Sequence, residues 1–161
     1  MPKPFSVFIS YSHDDIALRK ELDKHLSLLK DEKIISVWTD SDISPGTEWE
    51  EQIREKLNHA QIILLLVSSD FLASSFCRSV EMTKAIERHK ANTARVIPII
   101  LRPVLWEIAP FGKLQALPLS SENRPHPVTS WVQHDDAWKN VALGIYAIAD
   151  ELEQKEKTSN P

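Results

Sequence analysis

The chain has 161 residues and an ordinary globular composition, with 42% apolar and 26% charged residues. This length suits one domain with a core of its own. A formal net charge of −4 argues against a nucleic-acid-binding surface, which needs clustered Lys and Arg. No apolar run approaches the ~18 residues of a membrane span. We therefore expect a cytoplasmic protein that binds neither nucleic acid nor a membrane.

The residue types that hold metals and phosphates are sparse. Cys77 is the only cysteine, which argues against an intrachain disulfide and a cysteine-based metal site. The six histidines show no metal-ligand spacing. The three glycines form no phosphate-binding loop of the Walker or G-x-G-x-x-G type. We expect no metal and no resident cofactor.

The first half of the chain alternates strand and helix patterns. Residues 5–11 are rich in β-branched and aromatic residues and predict a strand. Ser12 and Asp15 have the spacing of a capping box, and leucines at helical spacing then predict a helix over about residues 14–30. Residues 34–38 predict a second strand. After a polar loop over residues 39–46, a second helix is expected to bury Trp49, Ile53, Leu57 and Ala60.

The second half continues the alternation. The six apolar residues from Ile62 to Val67 predict a parallel strand that is buried on both faces. A third helix is expected over about residues 75–89, with Phe76, Val80 and Ile86 inward. Residues 95–101 predict a fourth strand, which Pro98 leaves weakly paired on one side. Residues 127–131 predict a short fifth strand, and Asp135 or Asp136 is expected to cap a last helix.

This order predicts an α/β domain whose parallel sheet is covered on both faces and joined by right-handed crossovers. The apolar stripe of the last helix ends at Leu152. We expect the domain to occupy residues 1–152. Residues 153–161 are polar and charged, and we expect them to form a tail or the start of a linker.

Two positions at the ends of predicted strands are candidate sites. Glu81 follows the buried strand over residues 62–67, where open α/β sheets bind ligands. Taken alone, its position favours a solvated surface charge, because exposed Glu is common. Tyr11 and Ser12 follow the first strand at the expected switch point of the sheet. Their alternative interpretation is a strand-end tyrosine and a helix cap.

Four segments, in this order, resemble the Toll/interleukin-1 receptor (TIR) domain family, and the last resembles its bacterial branch. They are FISYSHD at residues 8–14, DSDISPG at 40–46, SSFCRSVEM at 74–82, and FGKLQALP at 111–118 followed by PVTSW at 127–131. The resemblance covers about residues 4–150. It implies a flavodoxin-like three-layer sandwich with a five-stranded parallel sheet.

The resemblance also implies an activity. Some TIR domains cleave the nicotinamide–ribose bond of NAD+, giving ADP-ribose or a cyclic isomer, often in antiviral defence. Nicotinamide leaves as a neutral molecule from a cationic N-glycoside, so no general acid is required. The transition state needs a negative group near an oxocarbenium-like ribose. By this resemblance Glu81 is the catalytic carboxylate of an NAD+ glycohydrolase or cyclase, and NAD+ is its substrate.

The residues expected to bind the substrate come from the same segments. Several have a plainer interpretation: Trp38 and Trp49 as core residues, Asp42 as a solvated loop residue, and Cys77 as a small buried hydrophobe. Phe76 stands where the family often has Trp or Tyr, and keeps only the stacking face. The full set is Tyr11, Ser12, Trp38, Asp42, Ile43, Gly46, Trp49, Phe76 and Cys77.

Two other functions stay open. Some TIR domains are scaffolds that act only through TIR–TIR contacts, in which case changes in residues 42–46 abolish assembly and Glu81 is free to vary. A nucleoside deoxyribosyltransferase of related fold would accept nucleosides without a diphosphate. The expected partners are NAD+, other TIR domains in a homo-oligomer or filament that activates the enzyme, and a sensor domain beyond residue 161.

Overall fold

The computed structural model describes residues 3–38, 49–74 and 79–159. Strands and helices alternate through these ranges, and short 3-10 turns lie at His13–Asp15 and Val128–Ser130. The strands are β1 (Phe5–Ser10), β2 (Ile35–Trp38), β3 (Ile62–Val67) and β4 (Arg95–Ile100). The helices are α1 (Ile16–Asp31), α2 (Trp49–His59), α3 (Ser69–Ala73), α4 (Val80–Lys90) and α5 (His134–Ser159).

The strands form one parallel sheet in the order β2-β1-β3-β4. Val7 of β1 lies opposite Val37 of β2 on one side and Ile62 of β3 on the other. Because β3 also pairs with β4, the two central strands are β1 and β3. Every residue of β3 is buried, as expected for an apolar run with no alternation. The predicted α/β fold with a parallel sheet is confirmed.

Successive residues of β3 face opposite sides of the sheet and belong to two separate apolar clusters. Ile62, Leu64 and Leu66 pack with the leucine stripe of α1 and the stripe of α5. Ile63, Leu65 and Val67 pack with residues of α2, α3 and α4. Helices therefore cover both faces of the sheet in three layers.

The expected fifth strand is wrong for the residues that the structure describes. Residues 128–130 form a 3-10 turn, whose Thr129 N–H donates to the carbonyl of Leu101 at 3.0 Å. The place beside β4 is taken by Leu117, which donates to the Pro98 carbonyl and accepts from the Ile100 N–H, both at 2.9 Å. The Pro98 nitrogen faces this side, since the N and C=O of a strand residue point the same way. The weak pairing that Pro98 predicted is confirmed.

The helix expected over residues 75–89 is also corrected. Within the described residues between β3 and β4 there are two helices, α3 and α4, and each is capped by a serine. The Ser68 hydroxyl accepts from the Phe71 N–H at 3.1 Å and begins α3, and the Ser79 hydroxyl accepts from the Met82 N–H at 3.2 Å and begins α4. Because α4 begins at this cap, Glu81 lies in its first turn and not two turns inside a longer helix.

The buried face of α4 also differs from the expected one. Val80, expected to face inward, is 65% exposed, whereas Met82 and Ala85 are buried. Ile86, also expected inward, is partly buried against the same cluster. Phe76 lies outside the described residues.

The last helix is longer than its apolar stripe. It begins at His134, one residue before the expected cap, and continues to Ser159. Glu151, beside the predicted domain end, pairs with Arg95 of β4 at 3.0 Å. The division of the chain at residue 152 stays a prediction, and it falls inside α5.

Candidate functional site

The carboxyl ends of all four strands lie at one edge of the sheet, because the strands are parallel. After β1 the chain crosses to β2 on one side, while β3 pairs on the other side of β1. The gap between β1 and β3 is therefore a point where the crossovers diverge, which is the usual ligand position in such sheets. Tyr11 and Ser12 directly follow β1 at this edge.

Glu81 is presented by the first turn of α4. Its side chain is 24% exposed, and its Oε1 lies 3.6 Å from the Nε of Arg54 on α2. The exposed N–H groups of a helix N-terminus carry a partial positive charge that favours a carboxylate. Glu81 therefore stands between a helix N-terminus and a guanidinium, where a negative charge is stabilised without being closed off from a ligand.

The other end of α4 is fixed to its neighbours by two side chains. Arg88 donates at 2.8 Å to the carbonyls of Leu57 and Thr93. The His89 Nδ1 accepts from the N–H of Val96 in β4 at 3.0 Å. Burial lowers the pKa of Arg88, and burial together with the charge of Arg95 lowers the pKa of His89. These contacts make α4 a rigid support for Glu81.

Tyr11 and Ser12 each have protein partners. The Arg19 guanidinium carbon lies 5.3 Å above the centroid of the Tyr11 ring. The Tyr11 ring also meets the His13 ring edge-on. Ser12 caps the 3-10 turn and accepts from the Asp14 N–H at 3.3 Å. The expected capping box with Asp15 is wrong in one part, because the Asp15 carboxylate points to other partners.

Asp15 joins three strand ends. Its side chain is fully buried, it accepts a short hydrogen bond from the Ser68 hydroxyl after β3, and its Oδ1 lies 3.3 Å from the Nε of Arg102 after β4. None of these three residues was predicted to belong to a site; Asp15 was expected only as the capping partner of Ser12. The positions directly after β3 and β4 were the available signal, since polar residues there reach the same edge as Asp15.

Trp38 ends β2 and stacks on Phe8, with ring centroids 5.4 Å apart and an interplanar angle of 18°. It is partly buried against the cluster under α2 and α4. The remaining expected substrate-binding residues cannot be compared with the structure. Asp42, Ile43, Gly46, Phe76 and Cys77 lie outside the described residues, as does the side chain of Trp49.

Arg54 is a further residue of the site that the sequence pattern does not single out. It lies on α2 between Glu51 and Glu55, on a face that the sequence presents as solvated. Only the packing of α2 beside α4 brings it to Glu81. Among the described residues, no group of three His, Cys, Asp or Glu could hold a metal ion. Within the same ranges, no helix is both long and apolar enough to cross a membrane.

The model of the TIR domain family matches residues 7–131. The chain belongs to the TIR domain family. The uncharacterized protein y4lF of Sinorhizobium fredii is 46% identical to it over 140 residues. That alignment covers 87% of this chain but only 42% of y4lF, so the chain spans less than half of its relative. The TIR domain of the Toll-related receptor TRR-2 from Hydra magnipapillata aligns with a TM-score of 0.47 and 19% identity, over 69% of this chain and 81% of that chain.

The resemblance inferred from the four sequence segments is thus confirmed as family membership. The family contains enzymes that cleave NAD+ and members without catalytic activity. TIR domains also commonly interact with one another. Family membership alone does not distinguish an NAD+-cleaving enzyme from a member without catalytic activity, so the residues of the site must be considered.

Proposed function

We propose that this TIR domain is an NAD+ nucleosidase that releases nicotinamide, with Glu81 as its catalytic carboxylate. The observation that supports this is the position of Glu81: partly buried, in the first turn of α4, with the Arg54 guanidinium 3.6 Å away. The helix N-terminus favours the charged form of Glu81, and its partial burial limits its contact with water.

The chemistry needs little more than this carboxylate. As the C–N bond to nicotinamide breaks, the electron pair goes to the ring nitrogen and positive charge develops on the ribose. A fixed carboxylate beside the ribose stabilises that charge, and it can also accept hydrogen bonds from the ribose hydroxyls. Water then attacks the ribose carbon to give ADP-ribose, or a nucleophile of the adenine attacks to give a cyclic isomer.

The pair with Arg54 fits this role because it is loose. A distance of 3.6 Å exceeds that of a good charge-assisted hydrogen bond, and the Arg54 side chain is 51% exposed. A ribose or a cationic nicotinamide ring can displace such a partner without leaving a buried charge unpaired. In the free protein, the Arg54 guanidinium partly offsets the charge of the carboxylate.

The substrate is expected to extend along the carboxyl edge of the sheet. Tyr11, Ser12 and Trp38 lie at the ends of β1 and β2, and we propose them as substrate contacts. The proposal also includes Asp42, Ile43, Gly46, Trp49, Phe76 and Cys77, which the family resemblance assigns to the same site.

The test is the release of nicotinamide from NAD+ at high protein concentration, followed by separation of the second product. Parent, Glu81→Gln and Glu87→Gln are compared. Glu87 lies on the same helix and is exposed, so its substitution is a matched control. We expect nicotinamide from the parent and the control only. Equal release by all three proteins, or none from the parent even when it is artificially clustered, would contradict the proposal.

A second function, assembly through TIR–TIR contacts, is favoured by a specific surface. Leu105 and Ile108 are 64% and 81% exposed, and they line one groove of about 480 Å³ together with residues of α3 and α4. Paired apolar side chains at a groove are typical of a protein-binding surface. We propose a second copy of this domain as the occupant, because TIR domains commonly bind one another.

The contact is tested with Ile108→Asp and, as a control at an isolated exposed position, Val132→Asp. Sedimentation should show concentration-dependent association of the parent and the control but not of Ile108→Asp. Association that survives Ile108→Asp would remove this surface from the account. If Ile108→Asp loses nicotinamide release together with association, the active enzyme is the assembled form.

A further inference from the structure

Arg102 is held at the carboxyl edge of the sheet by a buried carboxylate. The Asp15 side chain has no exposed surface, and its Oδ1 takes the Nε of Arg102 at 3.3 Å. Its other oxygen accepts from Ser68. Asp15 therefore fixes the side chain of Arg102 relative to the ends of β1 and β3, the two central strands.

Most of the guanidinium remains available. An arginine has five N–H donors, and Asp15 engages only the one at Nε. Within residues 3–38, 49–74 and 79–159, no other hydrogen bond to the Arg102 guanidinium is recorded, and its side chain is 46% exposed. Its terminal nitrogens therefore stand as a fixed pair of donors beside the switch point.

Other arginines of the described chain are engaged differently. They pair with a carboxylate on a neighbouring element or the next helical turn, or donate from their terminal nitrogens to backbone carbonyls, as Arg19, Arg54, Arg88 and Arg95 do. Arg102 alone among these five is anchored through Nε to a buried carboxylate.

A fixed guanidinium fork matches the oxygens of a phosphate, which it binds through two parallel hydrogen bonds. We propose that Arg102 binds the diphosphate of a dinucleotide substrate, and that Asp15 is the residue that positions it. This rests on the proposed function, because Glu81 acts at the ribose and the diphosphate must then lie along the same edge. In a chain of net charge −4, a local cation is needed to hold such an anion.

The test is equilibrium binding of ADP-ribose, which contains the diphosphate but has no nicotinamide to release. Adenosine, which lacks the diphosphate, is measured in parallel. The proteins are the parent, Arg102→Gln, Arg102→Lys, Asp15→Asn and Arg124→Gln. Arg124 is exposed on a loop and serves as the matched control.

We expect Arg102→Gln to weaken ADP-ribose binding by about tenfold or more, because hydrogen bonds to a charged group are lost. Adenosine binding should not change, and Arg124→Gln should match the parent. Arg102→Lys keeps a charge beside Asp15, and with it the fold, but loses the fork. Arg102→Lys should therefore weaken ADP-ribose binding several-fold. This variant tests the role of Arg102 if Arg102→Gln does not fold. Asp15→Asn should weaken ADP-ribose binding and spare adenosine.

The proposal is overturned if the parent does not bind ADP-ribose, or if Arg102→Lys binds it as the parent does. It is also overturned if Arg102→Gln lowers the affinities for ADP-ribose and adenosine equally, which would indicate a purely structural role. Nicotinamide release is measured separately. ADP-ribose binding that depends on Arg102 without any release would contradict the proposed function and leave this inference standing.

Discussion

Replacing Asp15 by Ala should destabilise the protein strongly, because it removes the one charged residue that is buried among the described residues. The change leaves the buried Ser68 hydroxyl without its acceptor and the Arg102 Nε without its partner. An unsatisfied buried hydroxyl costs about 1–3 kcal/mol, and breaking a buried ion pair about 3–5 kcal/mol. Arg102 is 46% exposed and can turn to water, so the two effects overlap.

We therefore expect Asp15→Ala to lower the free energy of unfolding by about 3 kcal/mol. For a domain of this size, that corresponds to a fall in melting temperature of roughly 6–12 °C. The assay is urea unfolding followed by tryptophan fluorescence, with the slope m checked for constancy.

The neighbouring residue supplies the control. Asp14 is exposed, and its carboxylate accepts a long hydrogen bond of 3.4 Å from the Ser12 hydroxyl. Asp14→Ala should stay within about 0.5 kcal/mol of the parent, as most surface substitutions do. An Asp15→Ala protein that unfolds at the same urea concentration as Asp14→Ala would refute the assignment of Asp15 as the buried link between strand ends.

Two further predictions concern the ends of α4. His89 accepts from the Val96 N–H, and its pKa is lowered, so the neutral form is favoured in the folded state. Its contribution to stability is present above its ordinary pKa of 6.5 and is lost as the pH falls below that value. The urea midpoint of the parent should therefore fall more steeply between about pH 7 and 5 than that of His89→Gln, and parallel curves would contradict this. Ser79→Ala removes the acceptor for the Met82 N–H and should cost about 1 kcal/mol by the same assay, whereas an unchanged midpoint would argue against a cap at this position.

The sequence was sufficient where one local pattern decides the structure. The uninterrupted apolar run of β3 required cover on both faces, and the leucine stripe of α1 buried the residues that its spacing predicted. Pro98 indicated the weakly paired side of β4, since a missing N–H is a local property. The four TIR-like segments indicated the family that the family model over residues 7–131 confirms.

The sequence was insufficient where partners distant along the chain decide the structure. The hydrogen-bond partners of Asp15 lie 53 and 87 positions away along the chain, and no local pattern predicts them. The start of α4 depends on which of several serines caps the helix, and Val80, directly after the cap at Ser79, is exposed. The pair between Arg54 and Glu81 depends on how α2 packs beside α4.

The role of Glu81 is decided by the rate of nicotinamide release by Glu81→Gln relative to the parent, at equal concentration and equal urea midpoint. The substitution keeps the size of the side chain and removes only its charge. Loss of one positioned carboxylate should lower the rate by a factor of about 100 or more, as the loss of comparable transition-state stabilisation does in other enzymes. A Glu81→Gln protein that releases nicotinamide at the rate of the parent would contradict the account.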